Sequence, residues 1–377
     1  GTMGGGIAMD FLNAGVPVTI VEREQAALDR GVGVIRKNYE GSAAKGRMTA
    51  EQVEARMALL TPSLELESLG QADLIIEAVF EDMGIKKDVF GKLDAIAKPG
   101  AILASNTSFL DVDDIASATS RPESVVGLHF FSPANVMRLL EIVRGAKTSD
   151  AVLATSLKVA KTIAKVPVVS RVGPGFIANR VMSPRSRQAM QLVLEGPSPQ
   201  DIDAAIFGYG FAMGPFAMGD LVGLDVIGRG SNERTLQSDL VKLGRLGQKQ
   251  GGGFYDYDEA RKASPSPVAA QVIADFAAYK GVENKGPLPA EEIVARLLYP
   301  VVNEGAKVLE EGVAIRASDI DVACILGYNW PVYTGGPMFW ADTVGLAKVV
   351  DGLKAMGIEP ARLLAEEAAS GGSFTRG

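Results

Sequence analysis

Histidine and cysteine are each present once in 377 residues. The lone Cys324 excludes an intrachain disulfide and fits a reducing compartment. With a single histidine beside it, no ligand set remains for the usual structural zinc sites, so no metal is expected. Long apolar runs are missing too. None approaches the ~18 residues that a membrane-crossing helix needs, so no transmembrane segment is expected. Charge of one sign never gathers into a block. A net charge of −7 without a basic patch argues against nucleic acid or an anionic membrane as a partner. The chain lacks an initiating methionine and opens inside a motif, which leaves an N-terminal targeting peptide unreadable from this end. At the other end, Gly371-Gly-Ser-Phe-Thr-Arg-Gly377 is expected to fray and shows no peroxisomal address. These absences favour a cytoplasmic, bacterial-type location.

The one histidine lies in Gly127-Leu-His129-Phe-Phe-Ser-Pro133, and twelve residues later Glu141 interrupts the apolar run Leu139–Val143. Histidine is the side chain best suited to move protons near neutral pH. A carboxylate between Leu140 and Ile142 is costly to bury without a partner. If the two segments are neighbouring strands, the imidazole is that partner, and base plus orienting carboxylate is the layout of general acid–base catalysis. A core histidine and an unrelated ion pair would read the same way from these two residues alone.

The N-terminus supplies a second motif. Gly1-Thr2-Met3-Gly4 matches the second half of G-x-G-x-x-G, with apolar residues at helical spacing behind it. The strand Val18–Val21 ends in Glu22, which lies 21 residues after Gly1. That spacing fits the ribose-binding acid of a dinucleotide fold, with the pyrophosphate at the helix N-terminus. An acid at this point favours NAD over NADP, although Arg23 adjoins it. The first glycine and the first strand are expected to lie upstream of these residues. Further along, helices over residues 24–45 and 83–97 alternate with apolar stretches at 72–79 and 101–107 that read as strands. Thr49-Ala-Glu-Gln52 marks a helix start between them. The alternation predicts a parallel α/β sheet with its ligand at the strand carboxyl ends. Glu81, Lys86, Ser105, Asn106 and Ser108 all fall just past such ends. Ser108-x-x-Asp111 also reads as a helix cap, and Asn106-Thr-Ser108 as a glycosylation sequon that a reduced protein would not use.

The second half repeats itself. Arg180 and Pro184 recur 116 positions on as Arg296 and Pro300. Asp201-Ile-Asp203 recurs 118 positions on as Asp319-Ile-Asp321, and Gly214-Pro215 recurs 122 positions on as Gly336-Pro337. Order holds while the offset drifts, as in a duplicated helical domain. Gly173-Pro-Gly175 is the hinge into the first copy, and a Pro-, Ala- and Ser-rich segment over 263–288 joins the two. Asn179 of the first copy aligns with Ala295 of the second, so a ligand contact made by Asn179 is lost in the repeat. The domains expected are 1–172, 173–262 and 286–377.

Taken together, the chain resembles the 3-hydroxyacyl-CoA dehydrogenase family. The pieces that carry the resemblance are Gly1-Thr-Met-Gly4, Glu77-Ala-Val-Phe-Glu81, Ser105-Asn-Thr-Ser108, His129-Phe-Phe-Ser-Pro133, Leu140-Glu141, Pro174-Gly-Phe-x-x-Asn179-Arg180 and Met213-Gly-Pro-Phe216. They arrive in family order across nearly the whole chain. The resemblance implies an NAD-binding Rossmann domain without its first strand, followed by two tandem all-α domains of the 6-phosphogluconate-dehydrogenase-like kind. It implies an acyl-CoA thioester as substrate, oxidised at a 3-hydroxyl within fatty-acid β-oxidation. His129 matches the catalytic base, Glu141 the acid that orients it, and Ser108 and Asn179 the residues bonding substrate and base. Gly1, Thr2, Met3, Gly4, Glu22, Ala78, Val79, Glu81, Lys86, Asn106 and Ser132 match positions that line the cofactor. Many single-function members have Asn where this chain has Ser132.

The His-Phe-Phe-Ser-Pro-Ala form and the tandem copies are most similar to the multifunctional β-oxidation enzymes. That implies an upstream enoyl-CoA hydratase domain in the full-length protein, and tandem copies that imitate the dimer of single-function relatives within one chain. Two other readings remain: a β-hydroxyacid dehydrogenase acting on a small free acid, and a non-catalytic NAD-binding relative.

Overall fold

The computed structural model describes residues 1–227 and 233–375. Its first compact unit comprises Gly1–Arg180 and Val308–Tyr328. Helix α1 (Thr2–Asn13) leads into strand β1 (Val18–Val21), then α2 (Gln25–Ala44) and α3 (Ala50–Met57). The Thr49 side chain accepts from the Gln52 N–H while Gln52 returns a bond to the Thr49 N–H, so the expected helix start is a full capping box. Strand β2 (Leu60–Ser63), which the sequence reading passed over, pairs parallel with β1. Its Pro62 and exposed Thr61 hide the strand pattern.

After β2 come β3 (Leu74–Glu77), α4 (Met83–Ile96), β4 (Ile102–Ser105), α5 (Val112–Ala116), β5 (Val125–Phe130), β6 (Leu139–Arg144), α6 (Asp150–Thr162) and β7 (Val166–Arg171). The five strands form one sheet in the order β3-β4-β5-β6-β7, separate from the β1-β2 pair. All neighbours are parallel except β5 and β6, which run antiparallel. The sheet is therefore mixed rather than all-parallel, because only eight residues join β5 to β6, too few for a crossover helix.

Both faces of this sheet are covered. Leu128, Phe130, Leu140 and Ile142 pack with Ile7 of α1 and Val152 and Ala160 of α6. Val125 and Val143 pack on the other face with Phe90 and Leu93 of α4 and Val112 and Ile115 of α5. Side chains alternate along a strand. His129 and Glu141 therefore point to the second face, and the register sets them directly opposite each other. The cap of α5 is Asp111, whose carboxylate accepts from the Asp113 and Asp114 N–H groups, so Ser108 is not the cap.

Helix α7 (Ala178–Glu195) leaves this unit and enters the second, which comprises Val181–Lys307 and Asn329–Gly377. It is followed by α8 (Pro199–Tyr209), α9 (Pro215–Val222), α10 (Leu224–Ile227), α11 (Leu236–Lys242), the hairpin β8 (Tyr255–Tyr257) and β9 (Ala263–Pro265), α12 (Pro267–Lys280) and α13 (Ala290–Glu310). The joining segment is thus built around a helix, α12, started by Ser266 and ended by Gly281 in the left-handed region. Helix α14 (Ala317–Tyr328) belongs to the first unit, while α15 (Pro337–Val344), α16 (Leu346–Ala355) and α17 (Arg362–Ser370) belong to the second.

The repeat is visible in the bonding. Asp220 accepts from the Phe254 and Tyr255 N–H groups, and Asp342, 122 positions on, accepts from those of Phe374 and Thr375. This last pair corrects the expected fraying: the tail is held on Asp342 through Thr375, while Arg376 and Gly377 lie outside the described residues. The arginines of the repeat also pair reciprocally. Arg180 meets Glu311, and Arg296 meets Glu195.

Gly127 is bare because a Cβ there would lie 2.7 Å from the Val143 Cβ on the neighbouring strand. Gly127→Ala is expected to cost about 1–3 kcal/mol through overpacking. Denaturant unfolding, read as a lower midpoint, checks this.

Candidate active site

The site grows from the β5–β6 register. His129 is 3% exposed and Glu141 fully buried, with the imidazole Nδ1 2.7 Å from Glu141 Oε2. The other carboxylate oxygen, Oε1, accepts from the backbone N–H groups of Ile177 and Ala178, at 3.1 and 2.8 Å. Gly175 and Phe176 both lie in the left-handed region, at φ 73° and 55°, and this turn brings the two N–H groups to the carboxylate. Both oxygens of Glu141 act as acceptors, so Nδ1 carries the imidazole proton and Nε2 keeps its lone pair. Phe131 and Phe176 flank the ring, with centroids 4.3 and 5.7 Å away. The result is an imidazole held through Nδ1 and walled by apolar rings.

Asn179 follows directly on Ala178. Its Nδ2 donates to the Ser108 carbonyl at 3.4 Å, which joins Ser108 to the histidine side of the site. Ser108 itself is half-buried, and its N–H donates to Glu81 Oε1 at 2.7 Å. The same oxygen accepts from the Thr107 hydroxyl and the Phe109 N–H. Burial works to raise the Glu81 pKa, but these donors and the charge of Lys86 outweigh it and hold the carboxyl below its ordinary range. Glu81 thus acts as the anionic anchor of the 107–109 loop.

Lys86, expected to line the cofactor, is 1% exposed and lies 2.7 Å from Glu77 Oε1 and 3.4 Å from Glu81 Oε2. It reaches the site through Glu81. Asn106 is likewise engaged, its Oδ1 accepting from the Phe130 N–H at 2.9 Å. Glu77 was missed by the sequence reading. It is buried, receives Ser105 Oγ, Lys86 Nζ and the Val79 N–H, and braces the ends of β3 and β4. The signal was there: like Glu141, it is a lone carboxylate in an apolar run. Lys165 was missed too. Its buried ammonium donates to the carbonyls of Ala134 and Met137 and sits 2.9 Å from Asp10 on α1, which pins the loop after His129-Phe-Phe to the nucleotide helix.

The cofactor candidates gather at the start of α1. Thr2 is exposed there and Met3 half-buried, and Gly1 precedes the helix. A Cβ at Gly1 or Gly4 would meet nothing within 4 Å, whereas one at Gly6 would lie 3.1 Å from the Ala134 Cβ. Close packing of the helix therefore falls on Gly6, and the first turn stays open. Glu22 directly follows the end of β1. Free N–H groups, helix dipole and a nearby carboxylate fit a dinucleotide. Ala78 and Val79 end β3, and Ser132 is exposed after β5. Among the described residues there is no group of three or more His, Cys, Asp or Glu able to hold a metal ion, and no helix long and apolar enough to cross a membrane.

The family model for the NAD-binding domain of 3-hydroxyacyl-CoA dehydrogenase matches residues 1–172. The model for its C-terminal domain matches twice, over 175–257 and 293–368. The peroxisomal bifunctional enzyme of Danio rerio is 39% identical over 94% of this chain and 52% of its own length. A peroxisomal fatty-acid β-oxidation multifunctional protein of Arabidopsis thaliana is 39% identical over 98% of this chain and 54% of its own. The chain thus spans about half the length of the curated relatives it matches. The crystal structure of the dehydrogenase part of multifunctional enzyme 1 from C. elegans is 32% identical, with a TM-score of 0.69, and covers 97% of this chain and 87% of that one. That of 3-hydroxybutyryl-CoA dehydrogenase from Escherichia coli is 28% identical, with a TM-score of 0.83, and covers 98% of this chain and 97% of that one.

The expected cytoplasmic location is overturned by these relatives, which are peroxisomal and glyoxysomal by name. A lone cysteine excludes an intrachain disulfide, which does not separate one reducing compartment from another. With both domain models matched across most of its length, the chain belongs to the 3-hydroxyacyl-CoA dehydrogenase family, and its first domain is an NAD-binding Rossmann-type domain.

Proposed function

We propose that the chain catalyses the NAD-dependent oxidation of (S)-3-hydroxyacyl-CoA to 3-oxoacyl-CoA in fatty-acid β-oxidation, with His129 as general base. The observation that carries this reading is the buried His129–Glu141 pair, whose bonding leaves Nε2 as an acceptor. His129 Nε2 takes the proton from the C3 hydroxyl. Glu141 stabilises the imidazolium that forms, because a carboxylate gains more from a cationic donor than from a neutral one. Ser108 and Asn179 bond the substrate oxygen. Gly1, Thr2, Met3, Gly4 and Glu22 hold the dinucleotide, while Ala78, Val79, Glu81, Lys86, Asn106 and Ser132 shape or brace its pocket. Bound NAD supplies the hydride acceptor for C3.

The tandem helical copies read as an intramolecular pseudo-dimer. The reciprocal ion pairs Arg180–Glu311 and Arg296–Glu195 support this, since each joins one copy to the other and equivalent residues stand 116 positions apart. That is the contact rule of an isologous interface. The bifunctional names of relatives twice as long fit an upstream enoyl-CoA hydratase domain in the full-length protein.

Two variants test the chemistry in the full-length protein, with NADH oxidation by acetoacetyl-CoA as the assay. His129→Gln is expected to lose roughly 10²–10⁴ in kcat with NADH affinity retained. Glu141→Gln is expected to lose roughly 10² or more, since the amide removes the charge and sets an NH2 donor where one of the two acceptor oxygens stood. Turnover of free acetoacetate with no preference for the thioester would instead favour a small-acid dehydrogenase, and wild-type turnover in His129→Gln would remove the base assignment.

A further inference from the structure

The second helical copy reaches the site in the first unit. The Arg171 N–H donates to the Val313 carbonyl at 2.9 Å, and Ser170 of β7 bridges to Ala314, so the chain entering α14 is tied to the sheet edge. Helix α14 then packs over β6 and β7. Near its end, Gly327 lies against Leu139 and Phe131. A Cβ there would come within 2.9 Å of the Leu139 side chain and 3.2 Å of the Phe131 ring, so a larger residue would push these side chains aside. The next residue, Tyr328, sets its ring edge-on to Phe131, with centroids 6.4 Å apart, and Phe131 is the ring that walls His129. The Tyr328 hydroxyl donates to Asn179 Oδ1 at 2.7 Å.

That bond holds the Asn179 amide in place, and the Ser108 carbonyl sets which way it faces. The Ser108 carbonyl can only accept, so it selects Nδ2, but at 3.4 Å it holds the amide weakly. The short Tyr328 bond to Oδ1 supplies the second point. With the oxygen occupied, the amide offers its remaining N–H, a donor, to a substrate oxygen. A flipped amide would offer an acceptor instead and repel the alkoxide or carbonyl that forms. The repeat gives an internal contrast. Gly208-Tyr209 corresponds to Gly327-Tyr328, 119 positions on, but the residue matching Asn179 in the second copy is Ala295. Tyr209 instead joins an aromatic cluster with Phe211 and Trp340. One tyrosine of the duplicated pair faces an asparagine, and one does not.

We propose that Tyr328 is a positioning residue for the reaction: the second helical copy supplies the hydroxyl that fixes the Asn179 amide of the first. The proposal rests on the reading of Asn179 as a substrate contact. Tyr328→Phe keeps the ring on Phe131 and removes only the hydroxyl, so the fold is expected to hold.

The test is a double-mutant cycle in the full-length protein, with acetoacetyl-CoA and NADH. Tyr328→Phe is expected to lower kcat about tenfold, with KM for NADH and the thermal midpoint close to wild type. Asn179→Ala is expected to lose at least as much, and the double variant no more than Asn179→Ala alone. Tyr209→Phe serves as the control and is expected to leave kcat unchanged. Wild-type kcat in Tyr328→Phe, or a further tenfold loss on adding it to Asn179→Ala, would overturn the proposal and leave Asn179 in place. Wild-type kcat in Asn179→Ala would overturn the Asn179 reading and the proposal with it.

Discussion

The Glu141 carboxylate is the interaction on which the site depends. It is fully buried, and a carboxylate in that position persists only when its acceptor capacity is filled. Three donors fill it: the imidazole of β5 and two backbone N–H groups at the start of α7. The same bonds therefore do two jobs. They select the imidazole tautomer, and they fix the helix start that carries Asn179. Because the donors come from two different elements, the full set of bonds needs both the sheet register and the 173–176 turn. Chemistry and fold share one constraint.

A second buried carboxylate is built in the same way. Glu77 at the end of β3 gathers a lysine, a serine hydroxyl and a backbone N–H. Lys86 carries the network on to Glu81, which holds the loop of Ser108 through backbone donors. The site is thus rimmed by strand ends whose charges are satisfied internally. Such a scaffold leaves few degrees of freedom for the side chains that face a ligand, and restricting them favours a reactive geometry. The duplicated helices serve a related end. One copy opens with the asparagine, and the other has given up that residue while keeping the tyrosine-bearing helix that packs on the sheet.

Much of this was legible in the chain itself. A histidine and a glutamate inside apolar runs are conspicuous because burial without a partner is costly, and the strands that carry them could be read as apolar blocks. The helix start at Thr49 was legible because a capping box is local. The repeat was legible because Asp201-Ile-Asp203 and Gly214-Pro215 recur in order as Asp319-Ile-Asp321 and Gly336-Pro337. What escaped depended on partners distant in sequence. Nothing local says that β6 runs antiparallel to β5, since direction follows from the length and path of the connection. The strand β2 carries a proline and an exposed threonine, and only β1 makes it a strand. The segment over 263–288 was read from its composition, although its Ser266 and Gly281 bracket a helix. The burial of Lys86 follows from Glu77, a residue whose apolar surroundings were visible and went unused. The tail was expected to fray, yet Asp342 holds Phe374 and Thr375 as Asp220 holds their counterparts.

Because the chain has a single histidine, the central claim is open to a direct reading. Protein selectively labelled with ¹⁵N-histidine, with a His129→Gln variant as the reference, reports both ring nitrogens of this residue by NMR. In the neutral ring Nδ1 is expected to be protonated and bonded to Glu141 and Nε2 unprotonated, with the Nδ1 proton shifted far downfield. A neutral ring carrying its proton on Nε2 would contradict it, because that nitrogen could not then accept the substrate proton.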